Sequence, residues 1–149
     1  MEYKVYLSGG MSGLSFEEQT QWRKDVEDGI WEQLNRWSTV HTPVFFNPVD
    51  YYNFQKVRHK SEREAFEFDL QNLKDSRLVI VNFNDTKSIG TAMELAIAKD
   101  RGIPIIGLNQ DKVELHPWLA ECCTRICDSM DELIDYVVEF YLQFKPLRF

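Results

Sequence analysis

Leu78-Val79-Ile80-Val81 is an unbroken apolar run set between Arg77 and Asn82, and it decides the fold. A half-exposed strand would alternate apolar with polar residues, so a solid run is the mark of a strand covered on both faces. Downstream, a polar stretch from Asn82 to Gly90 leads into a helix-forming segment from about Ile89 to Arg101, which stops at Gly102. Ile103-Pro104-Ile105-Ile106-Gly107-Leu108 then repeats the short apolar run. Strand, helix and strand in this order require a crossover connection, which in a parallel sheet is right-handed and carries its helix across one face.

The same alternation extends outward in both directions. Lys4-Val5-Tyr6-Leu7-Ser8 reads as the first strand and breaks at the glycine loop Gly9-Gly10-Met11-Ser12-Gly13. Ser15-Phe16-Glu17-Glu18 is a capping box that opens a long amphipathic helix through Trp22, Val26, Ile30, Leu34 and Trp37. Val44-Phe45-Phe46 before Asn47-Pro48 is the second strand, followed by a tyrosine-rich loop from Val49 to Lys60. Ser61-Glu62-Arg63-Glu64 caps a helix that runs to about Lys74. Toward the other end, Cys123 to Cys127 reads as a fifth strand, and Ser129-Met130-Asp131-Glu132 opens a last helix through Tyr141. The expected fold is α/β, a five-stranded parallel sheet between two helical layers. At 149 residues and 17.6 kDa, the chain is expected to be one domain over residues 1–149. In such sheets ligands bind beyond the C-terminal ends of the strands. The loops after the first and second strands and the stretch Asn82 to Gly90 are therefore the candidate site.

Composition narrows the partner. With 17 Lys and Arg against 24 Asp and Glu, the net charge of −7 opposes the phosphate attraction behind non-specific binding of nucleic acid, so no nucleic-acid polymer is expected. A small phosphorylated ligand stays open, because N–H groups at a helix start hold phosphate without net positive charge. No stretch approaches the ~20 apolar residues of a membrane span, and Met1-Glu2-Tyr3-Lys4 leads into a strand rather than a signal core, so a cytoplasmic protein without a membrane partner is expected. Cys122, Cys123 and Cys127 are odd in number and clustered, which suits a reducing compartment. Beside His116 they suggest zinc, but the C-x2-C pairs of a structural site are missing; they read as small buried hydrophobes, and neither a metal nor another cofactor is expected.

Two carboxylates stand where the helical pattern asks for apolar residues. Asp69 has Ala65, Phe66 and Leu73 at helical spacing around it, which places it along the apolar stripe. Desolvation there would raise its pKa and suit it to proton transfer; a solvated Asp at the edge of the stripe fits the same pattern. Glu94 has Gly90, Thr91, Ile97 and Ala98 at i±3 and i±4, and lies just over one turn from the helix start. Small neighbours leave room for a ligand there, although a surface Glu among small residues fits too. The glycine loop supplies N–H groups and the hydroxyls of Ser8 and Ser12, chemistry suited to phosphate, but it is neither a Walker loop nor a dinucleotide fingerprint. On spacing alone, Ser88 is a helix cap and Tyr6 an ordinary strand residue.

Taken together, Val5-Tyr6-Leu7-Ser8-Gly9-Gly10-Met11-Ser12-Gly13, Asp69 with Leu70 and Leu73, and Ser88-Ile89-Gly90-Thr91-Ala92-Met93-Glu94-Leu95 resemble the nucleoside 2-deoxyribosyltransferase family. The resemblance covers residue 3 to about 108. It implies a flavodoxin-like fold, a small nucleoside or nucleotide substrate, a homo-oligomer, and an enzyme that breaks or exchanges the N-glycosidic bond between deoxyribose and base. It makes Glu94 the nucleophile at C1′, Asp69 the group that exchanges a proton with the base, and Tyr6 the hydroxyl that orients Glu94. Ser88 departs from the pattern, since transferases of free nucleosides usually carry an aspartate there. A serine resembles the related 5′-monophosphate N-glycosidases, in which serines and the first loop hold the phosphate; this assigns Ser8, Gly9, Gly10, Met11, Ser12, Gly13, Ser88 and Gly90 to substrate or phosphate binding. Ala96 departs too, where the family commonly has glycine. The resemblance leaves transfer to a base, hydrolysis and binding without chemistry as alternatives. It also implies residues borrowed from a neighbouring copy, to which the C-terminal Gln143–Phe149 stretch is a candidate contributor.

Overall fold

The computed structural model describes residues 2–11, 13–36, 41–53, 56–57 and 59–143, with side chains for all of these except 52–53 and 56–57. Expectations for Ser12, Trp37 and the tail 144–149 lie outside the described residues. The first strand is β1 (Glu2–Gly9), followed by α1 (Phe16–Leu34) and β2 (Thr42–Phe46). A 3-10 turn (Pro48–Tyr51) and a small hairpin, β3 (Tyr52–Asn53) with β4 (Lys56–Val57), lead to α2 (Glu62–Lys74). The rest is β5 (Leu78–Asn82), α3 (Ile89–Asp100), β6 (Ile105–Leu108), α4 (Pro117–Cys122), β7 (Arg125–Cys127) and α5 (Met130–Val137), continued by a π-helical turn, Val138–Gln143. The five long-range strands pair in parallel in the order β2-β1-β5-β6-β7, so the sheet is the flavodoxin-like one the resemblance implies. Strand order reverses between β1 and β5, and the crevice of such a sheet opens at that switch point.

Strand alternation sorts the core into two layers. Val5, Leu7, Leu78 and Ile80 face α1 and α5, together with Trp22, Val26, Ile30, Leu133 and Val137. Tyr6, Val79 and Val81 face the other way, against Leu73 of α2 and Leu95 and Ala98 of α3. Leu78, Val79, Ile80 and Val81 are all fully buried, as the solid run requires. Each such side chain contributes roughly 1.5–3 kcal/mol by leaving water. The helix caps are where the sequence puts them: Ser15 and Glu18 form the full reciprocal box, whereas Ser61 accepts from the Glu64 N–H but the Glu64 carboxylate accepts from the Lys60 N–H instead of closing the box.

Several boundaries differ from the sequence reading: α1 ends at Leu34, and β6 begins at Ile105 and not at Ile103. The fifth strand keeps only Arg125–Cys127. An unforeseen helix, α4, ends just before it, with Cys123 as its C-cap; its six residues, with Pro117 at the first turn and the His116 ring accepting from the Trp118 N–H, are too short to show a period. The last helix gives way at Val138 to π-type bonding. Of the cysteines, Cys127 is buried in the α1–α5 layer, whereas Cys122 and Cys123 are half-buried against the other. Among the described residues no helix is long and apolar enough to cross a membrane.

Candidate active site

A cleft of about 720 Å³ opens at the switch point. All three loops singled out from sequence contribute to its wall: Gly9 and Met11 after β1, Pro48 after β2, and Asp85, Lys87, Ser88, Ile89 and Gly90 after β5. Asp69 enters from α2 and Glu94 from α3.

Strand periodicity builds the polar centre. Tyr6 and Ser8 are two apart on β1 and so point to the same face, the one α3 covers. Both are fully buried, and both hydroxyls donate to Glu94: Tyr6 to Oε2, and Ser8 Oγ to Oε1 at 3.0 Å. The Tyr6 ring is fixed in turn by stacking on Phe46, with centroids 5.2 Å apart. Burial is the largest influence on Glu94 and pushes its carboxyl up to about 7, and the charge of Asp69 adds to this. The two hydroxyl donors and Arg23 pull in the opposite direction. Burial and the nearby Glu94 and Asp69 raise the Tyr6 phenol far above its ordinary value, so it stays protonated as a donor. Free N–H groups at the start of α3 favour an anion in principle, but desolvation outweighs them at Glu94. The result is a carboxylate oriented by two donors and poised near neutrality.

The residues assigned to phosphate divide into two groups. Gly9, Met11, Ser88 and Gly90 line the cleft. Gly10 is outside the lining, and its N–H is committed to Asn84 Oδ1 at 3.0 Å. Ser8 spends its hydroxyl on Glu94, and Gly13, at φ +81°, turns the chain toward α1 away from the lining. Ser88 Oγ caps α3, accepting from the Thr91 N–H at 3.2 Å and sharing a hydrogen bond with the Thr91 hydroxyl at 2.9 Å. Gly9 has a packing reason to be glycine, since a Cβ there would lie 2.8 Å from Cζ2 of the Trp22 ring. Tyr51 of the tyrosine-rich loop packs on Phe46 and Phe68, and Trp118 is 79% exposed on α4; neither lines the cleft.

Sequence reasoning missed Arg23, Gln19 and Asp85. Arg23 is fully buried, yet it lines the cleft and is bonded to the carbonyls of Leu7, Gly9 and Gln19. Its signal was its position on α1, three residues before Val26 and seven before Ile30, on the buried stripe. Gln19 ties down the first loop by donating to the carbonyls of Met11 and Leu14 at 2.7 and 2.9 Å. Asp85 holds the turn before α3 by accepting from the Lys87 N–H at 3.0 Å.

The fold and the site define a flavodoxin-like α/β protein whose switch-point cleft is lined by Asp69 and Glu94 together with Glu62 and Asp85. The chain belongs to the nucleoside 2-deoxyribosyltransferase-like family, whose model matches residues 2–112. No curated protein matches the chain in sequence. Among solved structures it is similar to a 2-deoxyribosyltransferase from Bacillus psychrosaccharolyticus, at TM-score 0.66 and 17% identity over 89% of this chain and 91% of that one. It is also similar to a conserved protein from Enterococcus faecalis V583, at TM-score 0.70 and 15% identity over 91% and 96%. A third, the CMP N-glycosidase BcmB of Clostridium botulinum, gives TM-score 0.56 and 17% identity over 90% and 96%. These likenesses show the fold. Family membership places the protein among enzymes that transfer glycosyl groups or cleave N-glycosidic bonds of small nucleosides or nucleotides.

Proposed function

We propose that the protein cleaves the N-glycosidic bond of a 2′-deoxyribonucleoside or its 5′-monophosphate through a covalent intermediate on Glu94. The observation that carries this reading is the pair of hydroxyls, Tyr6 and Ser8, aimed at one carboxylate in a cleft that Asp69 shares. A Glu94 oxygen attacks C1′ as the C1′–N bond breaks, and the departing base leaves with a proton that it takes from the Asp69 carboxyl. Water or a second base then attacks C1′, Asp69 takes up the proton released, and the ester bond to Glu94 breaks. Two inversions return the starting configuration, as in retaining glycosidases. The two donors hold the carboxylate in the orientation for attack, so part of the entropic cost of alignment is met by the fold. Glu94 must be ionised to attack, so turnover rises with pH through about 7.

A second reading, strict hydrolysis of the 5′-monophosphate, is favoured by one local arrangement. Lys87 and Ser88, just before α3, and Gly90 in its first turn line the cleft, where a cation, a hydroxyl and helix N–H groups suit a phosphate. Incubation with a deoxynucleoside and with its monophosphate, each with and without a second free base, separates the readings by chromatography. A new nucleoside marks transfer and free sugar marks hydrolysis. Release of no base from any mixture contradicts both and leaves a module that binds nucleotides without chemistry.

A further inference from the structure

The ladder of β1 leaves a gap that one side chain fills. The Lys4 carbonyl accepts from the Arg77 N–H just before β5, so even-numbered residues of β1 direct their backbone groups toward β5 and odd-numbered ones toward β2. Pairing with β2 ends where Phe46 stands opposite Tyr6. The carbonyls of Leu7 and Gly9 therefore run past the end of β2, and buried carbonyls need partners. Arg23 supplies them: Nε donates to Leu7 at 3.4 Å and Nη2 to Gly9 at 3.3 Å, while Nη1 donates to Gln19 of its own helix. Its guanidinium lies 4.7 Å from the Trp22 ring centroid. Leu7 and Gly9 are the neighbours of Ser8, the residue that donates to Glu94.

We propose that Arg23 is a positioning residue for the reaction at Glu94, clamping Ser8 from both flanks so that the Ser8 hydroxyl stays aimed at the Glu94 carboxylate. The inference rests on reading Glu94 as the nucleophile. A lysine would carry the charge without the fork, and a neutral side chain would carry neither. Glu94 is faced by Tyr6 of β1, Asp69 of α2 and Arg23 of α1, and the cleft also holds Glu62 of α2 and Asp85 and Lys87 of the loop before α3. Arg23 is the one fully buried cation in that set. Burial lowers its pKa to about 10, so it is charged at neutral pH.

The test reads the Glu94 carboxyl directly by 13C NMR, with the Glu94→Gln spectrum assigning the signal, beside the pH profile of kcat/KM for base release. In Arg23→Gln the Glu94 midpoint and the acid limb of the profile are expected to move up together by about one pH unit, an approximately tenfold loss of activity below the midpoint. Arg23→Lys, which keeps the charge without the fork, is expected to restore only part of that shift. An unchanged Glu94 midpoint in Arg23→Gln, or full recovery of the wild-type midpoint in Arg23→Lys, overturns the proposal. Should Arg23→Gln not fold, the wild type decides: the Arg23 Nε resonance is expected to titrate with the Glu94 midpoint and to lose that titration in Glu94→Gln, and a flat resonance overturns the proposal. Failure of the Glu94 reading is separate, since it appears as base release undiminished in Glu94→Gln.

Discussion

At the scale of single residues, Glu94 trades stability for reactivity. Its carboxyl, ordinarily ionised well below neutrality, is lifted to about 7 by burial, so the folded state holds its proton more tightly than the unfolded chain does. Replacing it by Gln removes the cost of the buried charge while leaving an acceptor for Tyr6 and Ser8. Glu94→Gln is therefore expected to abolish turnover, by at least about 10⁴-fold, and to raise stability at pH 8 by an amount on the order of 1–3 kcal/mol, read by urea denaturation. Tyr6→Phe removes one donor and is expected to lower kcat by about a hundredfold and move the acid limb of its pH profile upward. Normal kcat in that variant would remove Tyr6 from the site. Glu94 and Asp69 were legible as carboxylates among small and apolar residues at helical spacing. Arg23 stands at helical spacing from Val26 and Ile30, but a charge followed by Lys24 and Asp25 reads as part of a solvated face; the carbonyls that hold it are left open by where β2 stops, which is a property of strand pairing and not of α1.

At the scale of elements, the caps and the solid strands carry the most information. Three helices begin at serines that the capping pattern marks, and β5 is the four-residue apolar run with Asn82 added. The hairpin β3–β4 and helix α4 were not legible, since two-residue strands and a six-residue helix are shorter than any period. Ser88 joins the element to the chemistry, for it caps α3 and faces the cleft. Ser88→Ala is expected to cost about 1 kcal/mol through the lost cap. Ser88→Asp keeps a capping oxygen but places negative charge beside any phosphate, so it is expected to leave the melting temperature close to the wild type while shifting the kcat/KM ratio toward the free nucleoside by about tenfold or more. An unchanged ratio would mean that Ser88 is a cap and nothing else. Gly9→Ala, which sets a Cβ against the rigid Trp22 ring, is expected to destabilise by ~1–3 kcal/mol and to lower activity with it, because Arg23 holds the same carbonyl.

At the scale of the whole molecule, acidity divides between surface and interior. Glu94 and Glu27 are both pushed up to about 7 by burial, the latter with Asp50 and Asp28 adding to the effect. A raised folded pKa gives a contribution that is fully present below the unfolded value near 4.5 and is lost as pH rises through 7. The melting temperature is therefore expected to fall between pH 5 and pH 8, and less steeply in Glu94→Gln. Glu18 and Glu132, both lowered by hydrogen bonds from backbone N–H groups, act in a separate window: their support is present above the unfolded value and is lost as pH falls through their depressed ones. A net charge of −7 thus conceals two carboxyl groups on which the fold imposes a proton near neutrality. The most direct test of the covalent account is mass spectrometry of the peptide containing Glu94, acid-quenched during turnover of a 2′-deoxyribonucleoside or its monophosphate. The account predicts a peptide heavier by one deoxyribosyl or phosphodeoxyribosyl group, with the modification mapped to Glu94 and absent from Glu94→Gln. Steady base release with that peptide always unmodified would contradict it.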